Sequence, residues 1–365
     1  MTIPRTVNRR TFVGLLGGLT ATAAVGGLTS GCVATAGGGA ATPADLTDPD
    51  WALPAEVPAG TTLTIGDPTT QKALELSGLG SELTFPVTWA NLSGGPQTSE
   101  AFRAKALDLG SVAEIPGINA HWTDLATKFV AAKYRQDPLD HPVYQLGVAP
   151  RVGVRTLADL RGHKIAYAPA QAQGALVVRV LAKAGLGKDD VTLVEIPSTG
   201  DVYVNALASG QVDVAPIAGT SIKRYLAQYG KDGGTTIAHG LRDDPGHLYA
   251  PAEVLRDQGK AAAIAAYVRV WARAQQWIQD HPEEWIQGYY VEDQRLSAAD
   301  GRYLVDAAGQ FDLPADWSPA ISRTQETVDL LAAFTGEETF DAGLLFDRRF
   351  APVAAEALAT SGVTS

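Results

Sequence analysis

From Thr61 to His239, short runs of apolar and β-branched residues alternate with segments of about ten residues that carry helical periodicity. This alternation restricts the chain more than any other feature. Parallel strands cannot be joined by a tight turn and need a crossover, usually a helix, so the pattern predicts βαβ units and an α/β fold. Thr61–Gly66 reads as a first strand and Glu82–Trp89 as a second, interrupted by Pro86, which has no N–H to give a ladder. Pro96 fits the first turn of a helix to Leu107, and Ala106–Ser111 leads into a further strand and loop. Thr156 and Asp159 have capping-box spacing and open a short helix. Lys164–Ala168 is a predicted strand, and Gly174–Ala184 a helix stopped by Gly185. Val191–Ile196, Asp201–Ser209, Val212–Ile217, Ser221–Tyr229 and Thr235–His239 continue the alternation. After residue 250 helix dominates, with Lys260–Asp280 and Thr324–Phe334 as its clearest segments and Trp271 and Trp277 as expected core residues.

A chain of 365 residues can hold two lobes of ordinary size. Its net charge of −11 argues against nucleic acid, which needs clustered Lys and Arg, but leaves room for a locally positive pocket. The six histidines are dispersed without metal-ligand spacing, so neither a metal nor another cofactor is expected. The one cysteine is Cys32, which excludes a disulfide within the chain and a Cys–His pair in the folded body. No Gly-x-x-x-x-Gly-Lys-Ser/Thr phosphate loop occurs, so any coupled ATP hydrolysis belongs to another subunit.

The N-terminus reads as an address. Arg5, Arg9 and Arg10 precede an uncharged, Gly-interrupted stretch from Thr11 to Gly31. Asn8-Arg9-Arg10-Thr11-Phe12-Val13 resembles a twin-arginine export motif, and Leu28-Thr29-Ser30-Gly31-Cys32 resembles a lipobox with Leu28 one place further out than usual. Residues 1–32 are therefore expected to be a lipoprotein signal with Cys32 lipidated, and 33–57, rich in Ala, Gly, Thr and Pro, a flexible tether. The competing reading of 11–31 is a membrane-spanning anchor, which its many Gly and Thr residues weaken.

In open α/β sheets, ligands bind outside the carboxyl ends of the strands. Five segments at such ends are small, polar or Gly-rich: Asp67 to Thr70 with Thr69, Ser93-Gly94-Gly95-Pro96, Ser111 to Glu114, Gln171 to Gly174 with Gln173, and Ser198 to Asp201 with Thr199. Most precede a helix, whose free N–H groups and dipole accept anions; each loop taken singly is better explained as an ordinary cap or turn, and it is five at equivalent positions that point to a ligand. Backbone amides of Gly94, Gly95 and Gly174 with the Ser93, Ser111 and Thr199 hydroxyls suit a sulfonate or carboxylate. Asp67, Glu114 and Asp201 suit an amine on the same ligand, and Asp201 equally suits a helix cap. His247, in Asp243-Asp244-Pro245-Gly246-His247, is expected beside the cleft in a turn, where a lone histidine is more often structural.

Val87-Thr88-Trp89-Ala90-Asn91-Leu92-Ser93-Gly94-Gly95-Pro96, Ala106 to Ser111, Val154 to Ala166 and Ala206 to Val214 together resemble the periplasmic-binding proteins for aliphatic sulfonates, taurine and nitrate, with pyrimidine-precursor binders as relatives. The resemblance implies a type II periplasmic-binding-protein fold: lobe 1 from 58–146 with 248–350, lobe 2 from 147–247, closing on a ligand between them. It implies an extracytoplasmic, membrane-anchored monomer that captures an alkylsulfonate- or taurine-like solute and delivers it to an ABC permease with a separate ATPase subunit. It implies that Ser93 to Gly95, Ser111, Glu114, Gln171 to Gly174 and Asp201 line the cleft. Three departures bear on the ligand: Glu114 where the family usually has Asp, Gln171-Ala172-Gln173-Gly174 in place of Gly-Ser-Ser, and Pro216-Ile217-Ala218-Gly219 in place of a Trp-Asp pair. An enzyme on the same fold, acting on a sulfonate or pyrimidine-like substrate, is the rival reading; its known forms rely on a cleft Cys or His. A surface adhesin or scaffold, the third, predicts an apolar cleft.

Overall fold

The computed structural model describes residues 52–92, 94–242 and 246–360. The expected signal, Cys32, most of the tether and Ser93 lie outside them. The first run is β1 (Leu63–Gly66), α1 (Pro68–Ser77), β2 (Val87–Trp89), α2 (Gly95–Arg103), β3 (Leu109–Ala113), α3 (Glu114–Trp122) and β4 (Thr127–Arg135). Residues 136–143 then lead to β5 (Tyr144–Val148), β6 (Lys164–Tyr167), α4 (Ala172–Lys183), β7 (Thr192–Glu195), α5 (Val202–Ala208), β8 (Val214–Ala218), α6 (Thr220–Tyr229) and β9 (Thr235–Ile237). The return gives β10 (Gly246–Pro251), α7 (Ala252–Arg256), α8 (Gln258–Asp280), α9 (Pro282–Trp285), a π-helical turn (Ile286–Asp293), α10 (Ala298–Ala308), β11 (Phe311–Asp312), α11 (Ser318–Thr335) and α12 (Val353–Thr360).

Two sheets result. One runs β11-β4-β10-β3-β1-β2, the other β7-β6-β8-β5-β9. β1 pairs in parallel with β2 and β3, and β6 with β7 and β8, as the crossover helices require. The chain passes to the second sheet after β4 and comes back through β10. This last strand lies antiparallel between β3 and β4, with Leu248 opposite Ser111 and His247 opposite Ala132.

Local chemistry explains most boundaries. Asp67 caps α1 by accepting from the Thr70 N–H at 3.2 Å, and Pro68 takes the first turn where no donor is needed. The Thr156/Asp159 capping box forms, but on a single 3-10 turn, Leu157–Leu160. Pro86 cuts the expected second strand to Val87–Trp89, while Leu79–Glu82 is a 3-10 turn. α8 starts at the Asp257 cap, and its Ala261–Ala265 stretch is fully buried. Trp271 is buried, and Trp277 stacks on His281. His247 sits inside a strand, not in a turn.

Candidate functional site

A cavity of about 800 Å³ opens where both crossings meet the first sheet. Thr69, β3 through Ser111, β4 through Lys133 and Tyr134, both crossings through His141 and Arg242, and helices α8 to α11 line it. Its charge is the reverse of the whole chain's. Among the described residues, Lys133, Arg135, Arg242, Arg302 and Arg323 face it against a single carboxylate, Asp306. Arg302 is ion-paired with Glu283, and Arg135 donates to the carbonyls of His141 and Ala307. Arg242 approaches Glu326 at 3.8 Å. The Arg323 guanidinium lies 3.9 Å over the Tyr134 ring, and among the described residues the buried Tyr134 hydroxyl meets no partner in hydrogen-bond geometry. The Arg323 Nε is likewise buried without a partner. Burial lowers the Arg242 pKa and raises that of Tyr134.

A polar chain reaches the cavity from the core. Tyr267 Oη donates to Asp67 Oδ2 at 3.2 Å, and the Gln275 amide donates to Thr70 Oγ1 at 3.2 Å. Gln275 Oε1 in turn accepts from Lys133 Nζ at 2.6 Å. Burial raises the Asp67 carboxyl above its ordinary value, opposed by hydrogen bonds from Thr70. Burial also lowers the Lys133 ammonium to about 8.

The strand-end residues divide among several environments. Thr69 and Ser111 line the cavity. Asp67 and Thr70 are buried beneath it, in the cap of α1 and the chain to Gln275. Glu114 opens α3 with no exposure at all. Its Oε1 accepts from Arg179 at 2.7 Å and Thr327 at 2.6 Å, and its Oε2 from Thr324 at 3.1 Å. Gln171 accepts from Ser198, and Gln173 lies partly exposed in the first turn of α4. Thr199 is exposed, as is Asp201, which pairs with Arg224 at 2.6 Å. Gly94 takes a φ of 96°, which suits glycine. Gly95 and Gly174 are needed for close approach: a Cβ at Gly95 would sit 2.2 Å from Pro116, and one at Gly174 2.1 Å from the Ala168 carbonyl oxygen. Since backbone cannot retreat as a side-chain end can, Gly174→Ala is expected to cost about 1–3 kcal/mol. Urea denaturation checks this, and an unchanged midpoint would mean the 168–174 turn relaxes freely. His247 stacks on Phe129 at 4.2 Å, with Nδ1 3.3 Å from the Ala131 carbonyl and Nε2 buried and unpartnered.

Lys133, Tyr134, Arg242, Gln275 and Arg323 are among the cavity residues that sequence reasoning passed over. One signal was present: Lys133 interrupts the apolar run of Phe129 to Ala132 inside a strand flanked by buried positions. A charge there needs a partner or a purpose.

Residues 136–285 match the family described as NMT1/THI5 like. An Escherichia coli K12 protein named for aliphatic sulfonates binding is 31% identical over 105 residues, 29% of this chain and 32% of that protein. The match thus spans about a third of the relative's length. The alkanesulfonate-binding protein SsuA from Xanthomonas axonopodis pv. citri, solved bound to MOPS, superposes with a TM-score of 0.64 at 22% identity, covering 80% of this chain and 98% of that one. The desulfurization enzyme DszB superposes less well, with a TM-score of 0.55 at 16% identity over 81% of this chain and 99% of that one. At these identities the likeness is one of fold.

Proposed function

Taking the chain as an NMT1/THI5-like protein with the periplasmic-binding-protein fold, we propose that it is the extracytoplasmic solute-binding component of an ABC importer. In this reading the two sheets carry the two lobes, Cys32 is the lipid-bearing residue, and residues 33–57 tether the body to the membrane. Its cargo is a small anionic or zwitterionic organic molecule of the alkylsulfonate or taurine kind. A permease and a separate ATPase subunit then move the cargo inward.

The observation that carries this reading is the reversal of charge: a net charge of −11 over the chain, yet a cavity whose lining, among the described residues, holds five cationic side chains and one carboxylate. Such a cavity favours an anion and concentrates it locally. Its volume lies within the usual range for small-molecule sites, roughly 300–1,000 Å³. Thr69 and Ser111 add hydroxyls to the lining. Closure is proposed to bring the Gly94–Gly95, Gln171–Gly174 and Thr199–Asp201 loops toward the same ligand.

A thermal-shift screen of the mature chain against ethanesulfonate, taurine, nitrate, carboxylates and pyrimidines tests the reading. Ligand at about a hundredfold over its dissociation constant stabilises a fold by about 2.7 kcal/mol, a clear rise in Tm. A rise with sulfonates supports the assignment. A rise only with uncharged pyrimidines, or with none of the compounds, rejects it. The superposition on DszB keeps one second reading alive, and its mark is specific: consumption of the bound sulfonate or sulfinate in product analysis.

A further inference from the structure

We propose that Lys133 anchors the acidic group of the ligand, so that capture requires its ammonium form; this rests on the solute-binding reading above. Lys133 lies on β4 with its side chain lining the cavity. An ammonium has three donors. Among the described residues a single hydrogen bond engages it, to Gln275 Oε1 at 2.6 Å, and no carboxylate comes within ion-pairing distance.

Among the described residues, the groups packed around it supply no counter-charge in contact. From α8 comes the neutral Gln275 amide, and from β11 the Phe311 ring at 5.9 Å. From β10 comes Gly246, at the edge of the aliphatic stem. On its own strand Arg135 adds a like charge. The carboxylate that feels it electrostatically is Asp67, at the end of β1. Asp67 is turned away into its own bonds with Thr70 and Tyr267, and reaches Lys133 only through Thr70 and Gln275. Gln275 is oriented by this chain: its amide N–H₂ is committed to Thr70, so its carbonyl must face the ammonium. The arrangement holds Lys133 in place without neutralising it.

Burying such a charge costs stability unless something pairs with it. Burial, opposed only in part by Asp67, lowers the Lys133 ammonium to about 8. The sign follows. Between about 8 and its unfolded value near 10.4, the unfolded chain keeps a proton that the native state has lost, so Lys133 weakens the fold most below about 8. An anion in the cavity reverses this: it stabilises the ammonium, raises the Lys133 pKa and takes up protons on binding near pH 8. Above that pH the empty protein loses the charge and binds anions more weakly.

The experiment uses isothermal titration calorimetry and melting of the mature chain with ethanesulfonate, taurine, acetate and nitrate as probes. It compares wild type with K133M and K133R at pH 6.5 and pH 9. The expected result is anion binding by wild type that falls at least tenfold at pH 9 and is accompanied by proton uptake in buffers of different ionisation enthalpy near pH 8. K133M melts higher than wild type when empty but loses binding by at least thirtyfold; K133R binds at both pH values. K133M that binds like wild type with the same pH profile overturns the role of Lys133 and leaves the solute-binding reading standing. If none of the four anions binds wild type, both fall.

Discussion

Replacing Arg179 by methionine destabilises the protein by about 3–5 kcal/mol, the cost of leaving a buried charge without its partner. Glu114 has no exposure, and the Arg179 side chain only 12%. Its two hydroxyl partners, Thr324 and Thr327, are themselves buried, so no water replaces the lost guanidinium. The elements involved make the loss consequential. Glu114 opens the helix after β3 of the first sheet, Arg179 lies on the helix after β6 of the second, and Thr327 comes from α11, which packs on α4. Arg179 also donates to Thr327 at 2.7 Å, so one side chain ties three helices from both sheets. The double variant E114L/R179M should regain most of the loss, because removing both charges removes the desolvation penalty with them. Guanidinium denaturation of the three proteins checks it. R179M within 1 kcal/mol of wild type would mean that Arg242, which also feels Glu114, moves in to replace Arg179.

What the sequence disclosed, and what it concealed, follows from how far apart the interacting residues lie. The alternation was legible from β1 to β3 and from β6 to β9 because each strand there is shaped by residues within a few positions, such as the Asp67 cap or the Thr156/Asp159 box. β4, β5 and β10 were not. Asp244-Pro245-Gly246 announces a turn, and the strand that follows is fixed by β3 and β4, more than a hundred positions earlier. α3 has no local announcement, because Glu114-Ile115-Pro116-Gly117 carries two helix-breaking residue types. Pro116 falls in the first turn, where its missing N–H costs nothing, and Gly117 makes room for the Phe129 ring. The strand-end loops were found as a class, since small polar residues mark them locally. The cationic lining of the cavity was hidden because it is assembled from distant segments: Lys133 meets Gln275 across 142 positions, and Arg323 stacks on Tyr134 from the C-terminal helices.

Acidification from pH 6.5 to pH 4 weakens the fold by roughly 3 kcal/mol through His247 alone. Burial is the main cause that holds this histidine down to about 4, and the approach of Arg323 acts in the same direction. The Glu114 carboxylate and the Ala131 carbonyl oppose them and only partly compensate. The ring stacks flat on Phe129, and Tyr134 and Phe346 stand edge-on to it, so its environment is apolar on most sides. In the unfolded chain the imidazole takes a proton near pH 6.5, whereas the folded protein resists it until about pH 4. Across that window the unfolded state therefore binds more protons, and stability is full above pH 6.5 and falls as pH drops. His121, whose pKa burial also lowers, acts in the same direction, so the comparison must be a difference between proteins. Denaturation midpoints for wild type and His247→Leu at pH 7, 6, 5 and 4 supply it. The two curves should converge toward pH 4, because leucine has no proton to take up and its penalty at neutral pH is confined to lost stacking and the Ala131 bond. Parallel curves would mean that His247 Nε2, unpartnered in the folded chain, is reached by solvent and titrates without cost.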